Sequence, residues 1–254
     1  LKVAEWPAGT MGRQVPRISL TPPCVSNRGP EAVALARIAG LGLYPWQEAE
    51  LIRASGVDER GKWAAFEYGL IANRQNGKGE IILARQLAGL FLWGERLQIH
   101  SSHDFKTTQQ AFARIVSVID RNPLLSEQVE RIRTADGEES VETVDGNVLR
   151  FLARARNQAR GFTGDTIYLD EALKLPTTAI NAMVPTLAAR TITANPQIWY
   201  TSSAGLEDSE ILESVRARGM NPESPRLAFA EYSVPSDADP ADERTWLDAN
   251  PMAG

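Results

Sequence analysis

Four stretches of the chain repeat apolar residues at the spacing of an α-helix. Residues 30–41 (PEAVALARIAGL) and 44–55 (YPWQEAELIRAS) each carry a proline near the start, where a helix tolerates it. Residues 81–92 (IILARQLAGLFL) are strongly apolar, and residues 105–122 (FKTTQQAFARIVSVIDRN) are amphipathic and stop before a proline. We predict a helix in each stretch.

Strand patterns alternate with these helices. Residues 62–72 (KWAAFEYGLIA) mix aromatic and aliphatic residues without a helical face, and apolar runs recur at 96–102, 165–172 and 196–203. Within residues 141–154, Asp145-Gly146 separates two alternating segments, which predicts a β-hairpin. This alternation indicates an α/β fold with a mostly parallel sheet, helices on both faces and an added β-hairpin.

The composition divides the chain into a central unit and two flanking segments. Residues 1–30 are rich in Pro and Gly and predict an extended N-terminal arm. Residues 31–219 form the predicted globular domain. Residues 220–254 are acidic and Pro-rich, which predicts a C-terminal strand and linker.

Composition and charge limit the kinds of protein to which this chain can belong. The chain has 254 residues, 43% of them hydrophobic, which suffices for the core of one globular unit. Its single cysteine, Cys24, excludes an internal disulfide. No apolar run approaches the roughly 20 residues of a membrane span, so no membrane partner is expected. A net charge of −5 argues against a protein that coats nucleic acid, so any DNA contact should be local.

A candidate phosphate loop joins a predicted strand to a predicted helix. It reads ANRQNGKGE and comprises Ala72, Asn73, Arg74, Gln75, Asn76, Gly77, Lys78, Gly79 and Glu80. Gly77 would let the backbone approach a phosphate closely, and Lys78 would reach the β- and γ-phosphates. Ala72 replaces the usual first glycine, and Gly79 stands where Ser or Thr normally binds Mg²⁺. A turn with a solvated lysine is the alternative, in which Arg74 is only a surface charge.

Two adjacent carboxylates follow the apolar run of residues 167–169. Asp170 and Glu171 would lie at the carboxyl end of a buried strand, where open α/β sheets bind ligands. We predict that Asp170 holds Mg²⁺ and that Glu171 activates a water. The alternative is a helix start with Asp170 as its N-cap.

The order of the motifs favours the catalytic interpretation. The chain has a Gly-Lys loop after one strand, an acid pair after a later strand and Thr201-Ser202-Ser203 after a third. This order is the layout of an ASCE-type (RecA-like) P-loop NTPase. The Thr/Ser side chains would lie beside the γ-phosphate, although a plain strand-to-turn connection would also use them.

With these motifs, the chain resembles the ATPase half of the phage terminase large subunits over residues 43–254. The resemblance implies that Arg74 to Lys78 form Walker A, that Asp170 and Glu171 end Walker B, and that Thr201 to Ser203 form the coupling motif. It also implies that Gln47 and Trp46, in YPWQ, contact adenine.

The resemblance further implies ATP and Mg²⁺ as ligands and packaging of double-stranded DNA into a procapsid. The expected partners are a pentameric ring of the same chain, the phage portal and a small subunit, in the host cytoplasm. A nuclease domain would follow this chain. Arg74 would act in cis, and Arg160 would act on the neighbouring subunit's ATP. The alternatives for Arg160 are a DNA phosphate contact or a salt bridge.

Other functions stay open on the sequence alone. A nucleotide-binding module that does not hydrolyse is one, because Gly79 lacks a hydroxyl. A helicase-like translocase normally needs a second RecA-like domain, and only 49 residues follow Gly205 (254 − 205). A metal nuclease built on Asp170 and Glu171, or a metal site at His100 and His103, is the remaining alternative.

Overall fold

A computed structural model describes most of the chain, namely residues 12–135, 137–153, 164–172, 187, 194–203 and 209–253. Its strands are β1 (Ile18–Leu20), β2 (Ser26–Asn27), β3 (Gly56–Val57), β4 (Glu67–Ile71), β5 (Leu97–Ser102), β6 (Val129–Arg133), β7 (Ser140–Thr143), β8 (Val148–Ala153), β9 (Thr166–Asp170), β10 (Gln197–Ser202) and β11 (Leu227–Glu231). Its helices are α1 (Gly29–Ile38), α2 (Pro45–Ala54), α3 (Lys78–Phe91), α4 (Phe105–Asp120), α5 (Pro123–Ser126), α6 (Glu210–Gly219) and α7 (Glu243–Ala249).

One nine-stranded sheet runs in the order β1-β11-β4-β10-β9-β5-β8-β7-β6. Every neighbouring pair from β11 to β8 is parallel, while β1 at one edge and β7 and β6 at the other are antiparallel to their neighbours. Strands β2 and β3 form a separate antiparallel pair. The predicted mostly parallel sheet is confirmed.

Helices cover both faces of the sheet because the central strands are apolar on both sides. Alternate residues such as Tyr68, Tyr168 and Trp199 pack with α1 to α4 in one buried cluster. The residues between them, including Ile167 and Leu169, pack with α6 in a second cluster. Nearly continuous apolar runs are what a doubly covered parallel sheet requires.

The predicted hairpin is present and is extended by one strand. Strands β7 and β8 pair antiparallel around Asp145-Gly146, where Gly146 has φ +78° and its N–H donates to Thr143 O at 2.8 Å. A positive φ at this position suits glycine. Strand β6, which the sequence did not predict, pairs with β7 at the sheet edge. Its residues are mostly exposed, so the apolar pattern is weak there.

The strand predicted over residues 62–72 is shorter than expected, because only Glu67–Ile71 forms β4. The residues before it are held by side-chain contacts. Lys62 Nζ donates to Ala194 O at 2.8 Å, and the backbone N–H of Trp63 donates to Asn195 Oδ1 at 2.8 Å. The aromatic content that suggested a strand serves core packing here.

Both flanking segments contribute to the folded unit. Strand β1, within the segment predicted as an arm, pairs with β11, and α1 already begins at Gly29. After residue 220 the chain forms β11, which lies beside β4, and then α7. Among the described residues, no helix is both long and apolar enough to cross a bilayer.

Candidate functional site

The three predicted motifs meet at the carboxyl edge of the parallel sheet. Strand β10 lies between β4 and β9, and its Thr201 is in register with Leu70 on one side and with Asp170 on the other. The backbone N–H of Ala72, the first loop residue, donates to Ser202 O at 3.1 Å. The phosphate loop, the acid pair and the Thr/Ser turn therefore share one edge, as the order of motifs predicted.

The phosphate loop reverses direction through two left-handed residues. Gln75 has φ +61° and Gly77 has φ +70°, and α3 begins immediately afterwards at Lys78. Glycine accepts this conformation without strain, whereas glutamine does so at a cost of about 1 kcal/mol or more. A helix N-terminus that follows such a turn is a place where proteins bind anions, because its backbone N–H groups lack carbonyl partners within the helix.

Lys78 is held inside the loop. Its ammonium donates to Ala72 O at 2.7 Å and to Asn73 O at 2.8 Å. Burial lowers the pKa of Lys78 to about 8, although the carboxylates of Asp170 and Glu171 raise it and Arg74 lowers it further. Both carboxylates of the acid pair therefore act on the Lys78 ammonium electrostatically.

Asp170 of the acid pair is oriented by the neighbouring strand β10. Asp170 Oδ1 accepts from Thr201 Oγ1 at 2.8 Å and from the backbone N–H of Glu171 at 3.0 Å. Glu171 adopts a left-handed conformation with φ +52°, which is costly for a residue with a side chain. The alternative helix start at Asp170 involves residues beyond Ala172, which lie outside the described part.

The two residues predicted to contact adenine are both buried. Trp46 is 0% exposed and packs edge-on against Tyr232 at a centroid distance of 5.0 Å. The prediction for Trp46 is wrong, because a fully buried ring has no face for a base. Gln47 is also buried, and its Nε2 donates to Gly77 O at 2.9 Å, so it contacts the loop itself.

The last residue of α7 and the segment after it lie against the phosphate loop, a contact that the sequence did not predict. Asn76 Nδ2 donates to Asn250 Oδ1 at 3.0 Å, and Asn76 Oδ1 accepts from the backbone N–H of Met252 at 3.1 Å. Asn73 Nδ2 donates to Ala249 O at 3.2 Å. Asn76 thus holds the loop to a segment that is distant in sequence, and its amide faces protein.

The remaining residues of the predicted site differ in their exposure and in their contacts. Arg74 is exposed at the loop, and Gly79 has nothing within 4 Å of the position that a Cβ would take. Glu80 forms a two-point ion pair with Arg114 of α4, at 3.0 Å for both contacts. Ser202 is buried at the end of β10. Arg160 lies outside the described residues.

His100 is part of the buried polar structure beneath the site. Its Nδ1 lies 2.8 Å from Gln86 Nε2, and its Nε2 lies 3.1 Å from Ser102 Oγ. Which of these contacts the ring donates and which it accepts depends on the tautomer of His100. No group of three or more His, Cys, Asp and Glu side chains suited to a metal occurs among the residues described.

Known structures share this fold. The chain is similar to the HK97 bacteriophage large terminase, with a TM-score of 0.75 and 21% identity over 90% of this chain and 49% of that one. It is also similar to the ATPase domain of the Thermus phage P74-26 large terminase, with a TM-score of 0.56 and 17% identity over 78% of this chain and 81% of that one. A variant of that domain gives a TM-score of 0.60 at 17% identity, over 79% of this chain and 85% of that one.

These likenesses confirm the predicted fold, since this chain has the α/β fold of terminase ATPase domains. The chain spans about half the length of the HK97 protein. No protein-family model and no curated protein matches it in sequence.

Proposed function

We propose that this chain is the ATP-hydrolysing motor domain of a terminase large subunit that packages double-stranded DNA into a phage procapsid. One observation carries the proposal. Strand β10 lies between β4, which leads into the loop of Lys78, and β9, which ends at Asp170, so both motifs lie at one edge of the sheet, where both carboxylates raise the pKa of Lys78. Phosphoryl transfer to water needs a cation and backbone N–H groups to hold the phosphates. It also needs carboxylates beside them for the metal ion and the attacking water.

Each residue has a distinct role in the proposed reaction. Lys78 would exchange the carbonyls of Ala72 and Asn73 for the β- and γ-phosphate oxygens, because those oxygens carry full negative charge. The loop N–H groups would hold the phosphates. Glu171 would orient the attacking water and accept its proton. Thr201, whose hydroxyl donates a hydrogen bond to Asp170, would change its contacts together with Ser202 when the γ-phosphate is lost.

The residues present fit a magnesium ion. Asp170 offers a carboxylate at the sheet edge, and one carboxylate plus substrate phosphates and waters is a usual environment for Mg²⁺. The open space at Gly79 leaves room for water where other P-loops carry a hydroxyl. When bound, the ion neutralises charge on the β- and γ-phosphate oxygens.

Arginines would complete the site. Arg74 is exposed on the loop, four residues before Lys78, and would act in cis on the γ-phosphate. Arg160 would act on the ATP of a neighbouring copy, which requires a head-to-tail arrangement that closes into a ring. We propose a pentamer at the portal, supplied with DNA by a small subunit in the host cytoplasm.

A steady-state phosphate-release assay with the chain assembled on double-stranded DNA tests the proposal. Wild type should hydrolyse ATP, whereas Glu171→Ala should bind ATP with little change and lose about 100-fold or more in rate. Glu243→Ala, on the exposed side of α7, is the matched control and should retain the wild-type rate.

The inert nucleotide-binding module is the second candidate, because Gly79 removes a metal-binding hydroxyl. It predicts that wild type and Glu171→Ala bind ATP and release phosphate at the same near-zero rate. Wild type that neither binds nor hydrolyses ATP would exclude both candidates.

A further inference from the structure

The face of strand β5 that packs against helix α3 is polar, although it is buried. Its side chains are those of Gln98, His100 and Ser102, which are 0%, 3% and 0% exposed. Apolar residues could fill the same space, and a buried polar group is unfavourable unless it finds a hydrogen-bond partner. Core packing alone therefore does not explain why this face is polar.

Gln98 connects α3 to strand β9. Its Nε2 donates to the backbone carbonyl of Gln86 at 3.1 Å, about two turns after Lys78 in α3. Its Oε1 accepts from the hydroxyl of Tyr168 at 2.7 Å. Tyr168 lies two residues before Asp170 in β9, on the same face of the sheet. One side chain thus links the helix that begins at Lys78 to the strand that ends at Asp170.

The backbone of α3 approaches this link closely at Gly89. A Cβ at that position would lie 2.6 Å from Gln98 Nε2, which is closer than such atoms can approach. Glycine is unfavourable inside a helix, because it loses more conformational freedom on folding than other residues. At Gly89, however, a side chain would push the amide of Gln98 away from α3. The sequence of the helix therefore keeps room for the contact.

We infer that Gln98 is a positioning residue that holds Lys78 and Asp170 at the separation that a magnesium-bound triphosphate needs. Hydrogen bonds are directional and apolar contacts are not, so the two bonds of Gln98 restrict sliding of α3 along β9. This inference rests on the proposed function. It has a consequence for the ligand, because triphosphate without metal would contact the loop alone, whereas the magnesium complex would also contact Asp170.

The gain in affinity that Mg²⁺ gives to triphosphate binding tests this role. A fluorescent ATP analogue is displaced by ATP or by inorganic triphosphate, once with Mg²⁺ and once with EDTA. Gln98→Leu removes both hydrogen bonds and should keep the affinity measured in EDTA within about twofold. With Mg²⁺, its affinity for both competitors should fall about tenfold, because the ligand must then reach Lys78 and Asp170 together.

Asn147→Leu is the matched control. Asn147 is buried and its Nδ2 donates to the carbonyl of Leu90 in α3 at 3.0 Å, but it belongs to the turn between β7 and β8. Its loss should lower the melting temperature and leave the gain from Mg²⁺ unchanged. A loss of the gain equal to that of Gln98→Leu would overturn the inference, because any weakened contact to α3 would then suffice.

Tyr168→Phe is the milder variant and applies where Gln98→Leu does not fold. It removes only the hydroxyl that donates to Gln98, and the gain from Mg²⁺ should fall about threefold. In the double variant the loss should be no larger than in Gln98→Leu, since both substitutions break the same link.

A folded Gln98→Leu protein that keeps the full gain from Mg²⁺ would overturn the inference. An equal loss of affinity in EDTA and in Mg²⁺ would overturn it as well, since Gln98 would then support the loop without acting on Asp170. If wild type binds neither competitor, or binds both equally with and without Mg²⁺, the proposed function fails instead. The two failures are therefore distinct.

Discussion

Arg85 and Glu95 form an ion pair in the interior of the protein, and its disruption should cost much more than that of a surface pair. Arg85 on α3 is 0% exposed, and its guanidinium contacts Glu95 at 2.6 Å and 3.0 Å. It also donates to Thr166 Oγ1 at 3.0 Å and lies 4.4 Å from the centre of the Trp93 ring. Every side of the cation is thus occupied by a partner that a solvent-exposed arginine would lack.

Glu95→Gln keeps the shape of the side chain and removes its charge, leaving the cation buried without a counterion. Breaking a buried pair in this way costs about 3–5 kcal/mol of unfolding free energy. For a chain of this size, about 2 °C of melting temperature corresponds to 1 kcal/mol, so the midpoint should fall by about 6–10 °C. Replacing both residues by methionine should recover much of this loss, because the charge and its partner leave together.

Urea and thermal unfolding measure the effect, with Glu80→Gln as the control. Glu80 pairs with Arg114 on the surface, with side chains 35% and 46% exposed, so its loss should cost less than about 1 kcal/mol. Thr166 begins β9, at the sheet edge opposite Lys78, and the affinity of folded Glu95→Gln for triphosphate should therefore be unchanged. A cost for Glu95→Gln no larger than that for Glu80→Gln would refute the reasoning.

Two further predictions concern the site itself. Because burial lowers the pKa of Lys78 to about 8, its charged fraction drops as pH rises, and triphosphate affinity should fall about tenfold between pH 7 and pH 9. Lys78→Arg stays charged, so a fall of equal size in that variant would contradict this cause. Asn250→Ala removes the acceptor for Asn76 and should weaken triphosphate binding about fivefold in the same titration, whereas the exposed Asp248→Ala should not. Equal effects of the two substitutions would argue against loop support by Asn250.

The sequence by itself determined the elements that depend on local chemistry. The helical periods of α1 to α4, the Asp145-Gly146 hairpin and the loop between β4 and α3 were all predicted, because each is set by residues close in the chain. The apolar run before Asp170 also placed that residue at a strand end. Local spacing is sufficient for such features, since backbone periodicity and turn conformation act over a few residues.

Only the tertiary structure decided which distant side chains meet. In the folded sheet β10 lies between β4 and β9, and Thr201 can therefore donate a hydrogen bond to Asp170. The tertiary structure brought the amide of Gln47 to the carbonyl of Gly77, and it buried Trp46 in the core. A hydrogen bond or a lowered pKa depends on the partners and the burial of a side chain, and the packing of the whole sheet creates both. The residues next to it in the sequence therefore do not determine them.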